Sequence, residues 1–178
     1  LERILNELLD FAKPLQMAFG RVEIHPVLLS CIDLLEMKFQ EKNLVLTTEF
    51  ALRMPALHAD IEKLEQAFIN LLLNAVEASD PGGEIKIKTA NRRNGKSRHA
   101  EIIFEDKGYG LTNPSTSDLF KPFFTTKSKG TGLGLSNVQR IVDAHGGWIE
   151  AKNRRPRGAS FKVHLPFGGP PDVQNPGR

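Results

Sequence analysis

What this chain has little of narrows it first. A single cysteine, Cys31, in 178 residues rules out a disulfide within the chain and fits a reducing compartment. No apolar run reaches the roughly 18 residues that a membrane-spanning helix needs, and no stretch reads as a signal peptide. The segment is therefore expected to be soluble as it stands and cytoplasmic, whether or not its parent touches a membrane. Neither sign of charge dominates: 24 Lys and Arg face 21 Asp and Glu, a formal net charge of +3. Apart from a short basic run at Asn153 to Arg157, no helix or loop carries the continuous positive footprint that nucleic acid requires, so no nucleic-acid partner is expected. The 40% hydrophobic content is enough for one good core with a short appendage.

What is present alternates between helical and extended patterns. Leu1, Ile4, Leu5, Leu8, Leu9 and Phe11 fall on one side at helical spacing, and Pro14 ends the pattern. This first helix lacks an N-terminal cap signal, as expected of a piece of a longer helical element whose apolar stripe seeks a partner helix. Arg21 to Ile24 reads as a short strand, Pro26 to Lys42 as a helix, and Leu44 to Phe50 as a strand. Asp60 is a candidate N-cap for a helix running through Leu64, Phe68, Leu71, Leu72 and Ala75 to about Ser79, closed by Asp80-Pro81-Gly82-Gly83. Glu84 to Ala90 and Ala100 to Glu105 form a hairpin pattern around the polar link Asn91 to His99. Gly110 to Gly130 reads as a mobile functional loop, and Thr131 to His145 as a last helix ending at Gly146-Gly147. Trp148 to Asn153 and Ala159 to Leu165 make a final strand pair, and Gly168 to Arg178 reads as a disordered tail.

Three stretches in fixed order converge on one kind of ligand. Asn70 to Glu77 (NLLLNAVE) presents two amides one helical turn apart, on one face of a helix. Asp106 to Gly110 (DKGYG) puts a carboxylate at a strand's end, followed by flexible backbone. Gly130 to Leu135 (GTGLGL) opens a helix whose N-terminus favours an anion, with Thr131 and Ser136 available for hydroxyl contacts or a cap. Together they indicate a nucleotide. Neither a P-loop nor a dinucleotide fingerprint is present, because the Lys-Ser/Thr pair is missing and Leu135 stands where a third fingerprint glycine belongs.

This order of motifs resembles the catalytic, ATP-binding domain of sensor histidine kinases, which has the Bergerat fold. Asn70 through Asn74 to Ser79 matches the N box. Asp106, Gly108 and Gly110 match the first glycine box, Phe120 to Lys127 (FKPFFTTK) the F box, and Gly130, Gly132 and Gly134 the second glycine box. His145-Gly146-Gly147 and Gly158 to Pro166 extend the similarity, Ile4 to Pro14 resembles the end of the second dimerisation helix, and FFTTK resembles the nitrogen-regulatory subgroup.

The resemblance implies a two-layer α/β sandwich, a mixed and mainly antiparallel sheet packed on about three helices. Residues 1–16 would be the end of the dimerisation helix plus linker, 20–167 the ATP-binding domain with a lid at about 111–129, and 168–178 the tail. It implies ATP and Mg2+ as cofactors. The metal falls to Asn74, whose amide oxygen is a suitable hard ligand, and Asn70 would hold a metal-bound water or a phosphate oxygen. Asp106 would accept from the adenine amino group, supported through water by Ser160. The implied nucleotide set is completed by Ala78, Gly108, Gly110, Leu111, Phe120, Lys127, Gly130, Thr131, Gly132, Leu133, Gly134 and Leu135. Phe120, Phe123 and Phe124 would anchor the lid against the core.

Two departures matter. The family often has a basic residue three positions after the metal-binding Asn and an aromatic one next, where this chain has Glu77 and Ala78, leaving Arg140 or Lys127 to supply charge. None of His25, His58, His99, His145 or His164 has the His-acid setting followed by Pro of a phospho-acceptor, so that histidine is expected outside this fragment. His145 is expected to be structural at a helix end, and His25 before Pro26 to be part of a turn.

The function implied is transfer of the γ-phosphoryl of Mg-ATP to a histidine on the protein's own dimerisation helices, for relay to a response-regulator aspartate, in a homodimeric parent. No general base is assigned in this chain. Rival readings are a Bergerat-fold ATP hydrolase, an anti-sigma-type serine kinase and an inactive ATP-binding scaffold. Against hydrolysis, the position four residues before the metal ligand is Asn70, and an amide cannot take a proton from water.

Overall fold

In the computed structural model the described residues are 13–95, 97–111, 118–125 and 130–170. The N-terminal helix pattern at 1–11, most of the lid at 112–117 and 126–129 including Lys127, and the tail beyond 170 lie outside them.

The sheet follows from alternation. Five strands lie in the order β2 (Val45–Glu49), β4 (Glu84–Asn94), β5 (Ser97–Asp106), β7 (Ala159–Pro166), β6 (Trp148–Asn153). Only the β2–β4 pair is parallel; the other three are antiparallel. Ile85, Ile87, Ala100, Ile102, Phe104, Phe161, Val163 and Leu165 point to one face and are buried. The other face carries charge, with Lys86 on Glu49, Lys88 on Glu105 and Arg92 on Glu101.

Helices cover the apolar face, giving the expected two-layer sandwich. They are α1 (Ile24–Leu34), α2 (Glu36–Glu41), α3 (Ile61–Ala78) and α4 (Gly134–Ala144). α3 buries Leu64, Ala67, Phe68, Leu71, Leu72, Ala75 and Val76, a helical stripe packed on the sheet through Phe68 and Phe104. It starts where expected: Asp60 Oδ1 accepts from the Lys63 amide at 3.1 Å. Asp60 Oδ2 also accepts from the Ala18 amide at 2.7 Å, tying the preceding linker to this helix.

Four readings are corrected by the structure. The expected helix from Pro26 to Lys42 begins at Ile24 and breaks at Leu35, whose φ of −102° and ψ of 5° separate α1 from α2. His25 is accordingly in a helical first turn, where Pro26 lacks no bond it would have made; its ring stacks on Phe50 and its Nε2 meets Thr89 Oγ1 at 2.9 Å. The Asn91 to His99 link is no loose loop, because the hairpin ladder continues to Asn94 opposite Ser97 and turns tightly at Gly95. A strand that the sequence did not suggest, β3 (Leu57–Ala59), pairs antiparallel with β1 (Gly20–Val22).

His145 is structural, as expected. Buried at the end of α4, it accepts from the Asp60 amide on Nε2 at 3.0 Å, and its Nδ1–H donates to the Ile141 carbonyl at 2.7 Å. The bond accepted on Nε2 requires a neutral ring, and burial holds its pKa below the ordinary value near 6.5. His25 and His164 are lowered in the same direction, also by burial. The unfolded chain therefore binds more protons than the folded one just below pH 6.5, and stability is lost as pH falls through that region. The expected slope is up to about 1.4 kcal/mol per pH unit for each histidine. Unfolding midpoints measured at pH 7.5 and 5.5 should differ accordingly, and His145→Asn should reduce the difference; a flat profile would contradict the assignment.

Candidate nucleotide-binding site

The three sequence motifs meet at one end of the sandwich, where α3, the end of β5 and the start of α4 come together. Asn70 and Asn74 lie on α3, both half-buried rather than enclosed in the core. α4 packs along α3, and its first residue, Gly134, stands over Asn70: a Cβ on that glycine would lie 3.9 Å from Asn70 Oδ1. Among the described residues, the N-cap position of α4, Leu133, makes no side-chain cap bond to the amides that open the helix. This leaves its positive dipole end to a ligand. Ser136 does not take part: its buried hydroxyl donates to the Leu133 carbonyl at 2.9 Å inside the first turn. Leu133 is buried and Leu135 packs on the core, so what these residues offer a ligand is backbone.

Asp106 ends β5 with 3% of its surface exposed. Its Oδ1 accepts from the Gly108 amide at 2.8 Å and the Ala159 amide at 3.2 Å. Oδ2 has no hydrogen-bond partner among the described residues. Burial pushes this carboxyl above the usual aspartate range, opposed by the two amides and by Arg154. One oxygen is thus fixed by the protein, and the other is an acceptor for something else. Ala78, at the end of α3, closes against this loop: its carbonyl accepts from the Tyr109 amide at 3.3 Å, and Gly108 lies directly over it.

Ser160 is not brought to this place. It pairs in register with Glu105 and Lys152, and paired residues share a face, so its side chain is on the charged side of the sheet. Asp106, one residue on from Glu105, points to the opposite, helical side. The Ser160 hydroxyl is buried there without a partner among the described residues, and the neighbour that meets Asp106 is Ala159.

The lid is described at its two roots. Leu119 and Phe120 are buried and Phe124 packs on the core, but Phe123 is 62% exposed. Phe123 contributes backbone instead, at a φ of 66°: its amide donates to the Gly132 carbonyl at 3.1 Å. Gly132, with φ of 70°, lies so close that a Cβ there would stand 2.4 Å from the Phe123 carbonyl carbon. The F box and the second glycine box, with Gly130 exposed and Thr131 half-buried between them and α4, are thereby joined. The Arg140 guanidinium donates to the Lys13 carbonyl at 3.0 Å.

The structure adds residues that the motifs did not include. Lys42 places its ammonium on the carbonyls of Val76 at 2.8 Å and Ser79 at 3.0 Å, neutralising the C-terminal end of the helix that bears Asn74. From the β6–β7 turn, Asn153, Arg154 and Arg157 hold the backbone of the Asp106 to Leu111 loop. Their visible signal was only a short basic run.

Such a sandwich, with a buried carboxylate at a strand end and a glycine-rich helix start packed over the amide-bearing helix, defines an ATP-binding domain of the Bergerat type. The pattern of the family described as histidine kinase-, DNA gyrase B-, and HSP90-like ATPase matches residues 59–169, and the chain belongs to it. Within that family it is homologous to sensor histidine kinases. The sensor histidine kinase ZraS of Klebsiella oxytoca is 35% identical over 169 residues, covering 95% of this chain and 36% of ZraS, so the chain corresponds to a minor part of such a protein. The solved catalytic domain of histidine kinase ThkA matches with a TM-score of 0.76 at 31% identity, covering 85% of this chain and 97% of that one. ThkA in complex with the response regulator protein TrrA matches with a TM-score of 0.78 at 28% identity, covering 93% of this chain and 47% of that one.

Proposed function

We propose that this chain binds Mg-ATP between α3 and α4 and supplies the kinase half of a two-component sensor, passing the γ-phosphoryl to a histidine on the parent's dimerisation helices. The observation that carries the reading is Asp106, buried with one carboxylate oxygen held by two amides and the other without a partner among the described residues. That second oxygen suits the adenine amino group and would face the lone pairs of a guanine carbonyl unfavourably.

The donor set also fits a magnesium ion. Among the described residues no group of three or more His, Cys, Asp or Glu is arranged to hold a metal. The Asn74 amide oxygen, a hard donor of the kind magnesium accepts, would hold the ion, and Asn70, one turn away, would hold a water or a phosphate oxygen beside it. When bound, it neutralises charge on the phosphate oxygens. The chain's own residues do the rest by positioning. Asp106 selects the base, the first amides of α4 receive phosphate oxygens, and the Phe123–Gly132 bond sets where the lid joins them. Lys127 and Thr131 belong to this phosphate side, and Leu111 to the lid's other root.

Among the described residues no helix is long and apolar enough to cross a membrane. We place the domain in the cytoplasm, in a homodimeric parent whose phosphohistidine serves a response-regulator aspartate, as the ThkA complex with its regulator supports. The test is to mix this chain and Mg-ATP with dimerisation helices bearing the acceptor histidine. Acid-labile, base-stable phosphate on those helices is expected. Release of inorganic phosphate alone, or an acid-stable phosphoserine, would contradict the proposal.

A further inference from the structure

In the basic run at Asn153 to Arg157, the side chains of Asn153, Arg154 and Arg157 are all engaged. The turn between β6 and β7 directs three of them onto the backbone of the loop that follows Asp106. Asn153 grips Leu111 at both ends of its peptide environment: Oδ1 accepts from the Leu111 amide at 2.6 Å, and Nδ2 donates to the Leu111 carbonyl at 3.0 Å. Gly110 packs beneath it, where an added Cβ would stand 2.7 Å from Asn153 Oδ1. Arg154 donates from Nη1 to the Asp106 carbonyl at 2.9 Å, while its Nη2 lies 3.5 Å from Glu105 Oε2. Arg157 donates from Nε to the Gly108 carbonyl at 2.9 Å, and its Nη2 pairs with Asp80 Oδ2 at 3.0 Å, just beyond α3. The carbonyls of Asp106 and Gly108 and both polar groups of Leu111 thus end on one turn, more than 40 residues away in sequence.

A glycine-rich loop held at one side only would leave the Asp106 carboxylate and the lid's first root to wander. We propose that Asn153, Arg154 and Arg157 are positioning residues for nucleotide binding, a clamp that fixes the Asp106 to Leu111 loop so that the carboxylate meets adenine. They touch no ligand themselves. Arg157 also ties the loop to the residue after α3, so the base side of the site and the helix bearing Asn74 are held in one frame. The inference rests on the nucleotide reading above, and its test separates the two.

The experiment is calorimetric titration of the 178-residue chain with Mg-ATP and Mg-GTP, with an unfolding midpoint for each variant. Asp106→Asn is the reference. The Gly108 and Ala159 amides will keep an oxygen at the Oδ1 position, so the new amide group presents its NH2 to the base, and ATP should lose affinity while GTP does not. Asn153→Ala and Arg157→Ala are each expected to weaken ATP about tenfold and to narrow the preference over GTP, with little change in the unfolding midpoint. Asn153→Asp keeps the acceptor for the Leu111 amide and should recover part of the loss. If Asp106→Asn shifts the preference but the clamp variants bind like the wild type, or weaken only in proportion to lost stability with the ATP to GTP ratio unchanged, the clamp is overturned and the site stands. If Asp106→Asn is also silent, the nucleotide reading fails, and the clamp with it.

Discussion

Asn74→Ala is expected to weaken Mg-ATP binding by about 100-fold, or about 2.7 kcal/mol, and to leave metal-free ATP binding nearly unchanged. The helix sets the geometry. Asn74 lies on the half-buried side of α3, flanked by the buried stripe of Leu71, Leu72, Ala75 and Val76, so its direction is fixed by a core that alanine does not disturb. Alanine is also the better helix former, by about 0.5 kcal/mol, so the fold should persist. What is removed is the amide oxygen on the face shared with Asn70, the residue that Gly134 at the start of α4 stands over. Among the described residues no group of three or more His, Cys, Asp or Glu is arranged to hold the ion in its place. Titrations with excess magnesium and with chelator give the comparison, and equal losses in both would remove the metal role from Asn74.

Gly108→Ala should have a large effect on stability. An added Cβ would stand 2.1 Å from the Ala78 carbonyl oxygen and 2.5 Å from its carbon. These are backbone atoms at the end of α3, and they cannot rotate away as a side chain can. Relief requires the loop to lift, which breaks the Tyr109 to Ala78 hydrogen bond and pulls the Gly108 amide from Asp106 Oδ1. The expected cost is about 3 kcal/mol, a fall of roughly 6–12 °C in unfolding midpoint for a domain of this size. ATP binding should fall at least about tenfold in the folded fraction, since Asp106 loses the amide that fixes it. Gly20→Ala is the control: nothing lies within 4 Å of its added Cβ, and little change is expected. An unaltered midpoint for Gly108→Ala would show that the end of α3 and the loop are not in the contact described.

How legible this site was from sequence depended on whether a residue acts through its own local pattern. Asp60 and the stripe from Leu64 to Val76 announce α3 by capping and periodicity, and helical spacing alone then puts Asn70 and Asn74 on one face. Asp106 was legible because a strand pattern ended on it. Ser160 was misplaced by one residue of strand parity, which decides the face and which no motif encodes. β3 spans three residues, too few for a period to show, and the break at Leu35 has no proline or glycine to mark it. Phe123 looked like a core aromatic by type, yet it serves through a backbone bond to Gly132 while its ring is exposed. Lys42 and the β6–β7 turn were hidden for a different reason. Their partners are carbonyls more than 30 residues distant, and any sequence offers carbonyls everywhere, so nothing local distinguishes a gripping arginine from a solvated one.

The function proposed for this chain requires ATP to occupy the space between Asn74, Asp106 and the start of α4. Nuclear magnetic resonance of the labelled chain, titrated with magnesium and a non-hydrolysable ATP analogue, reads that space residue by residue. The Asn74 side-chain amide and the backbone amides of Gly108, Gly110, Gly132 and Gly134 should shift together and saturate at one concentration, with the Asn74 signal moving only when magnesium is present. Shifts confined to the charged face of the sheet around Ser160, or none at all at these positions, would show that the nucleotide does not bind there.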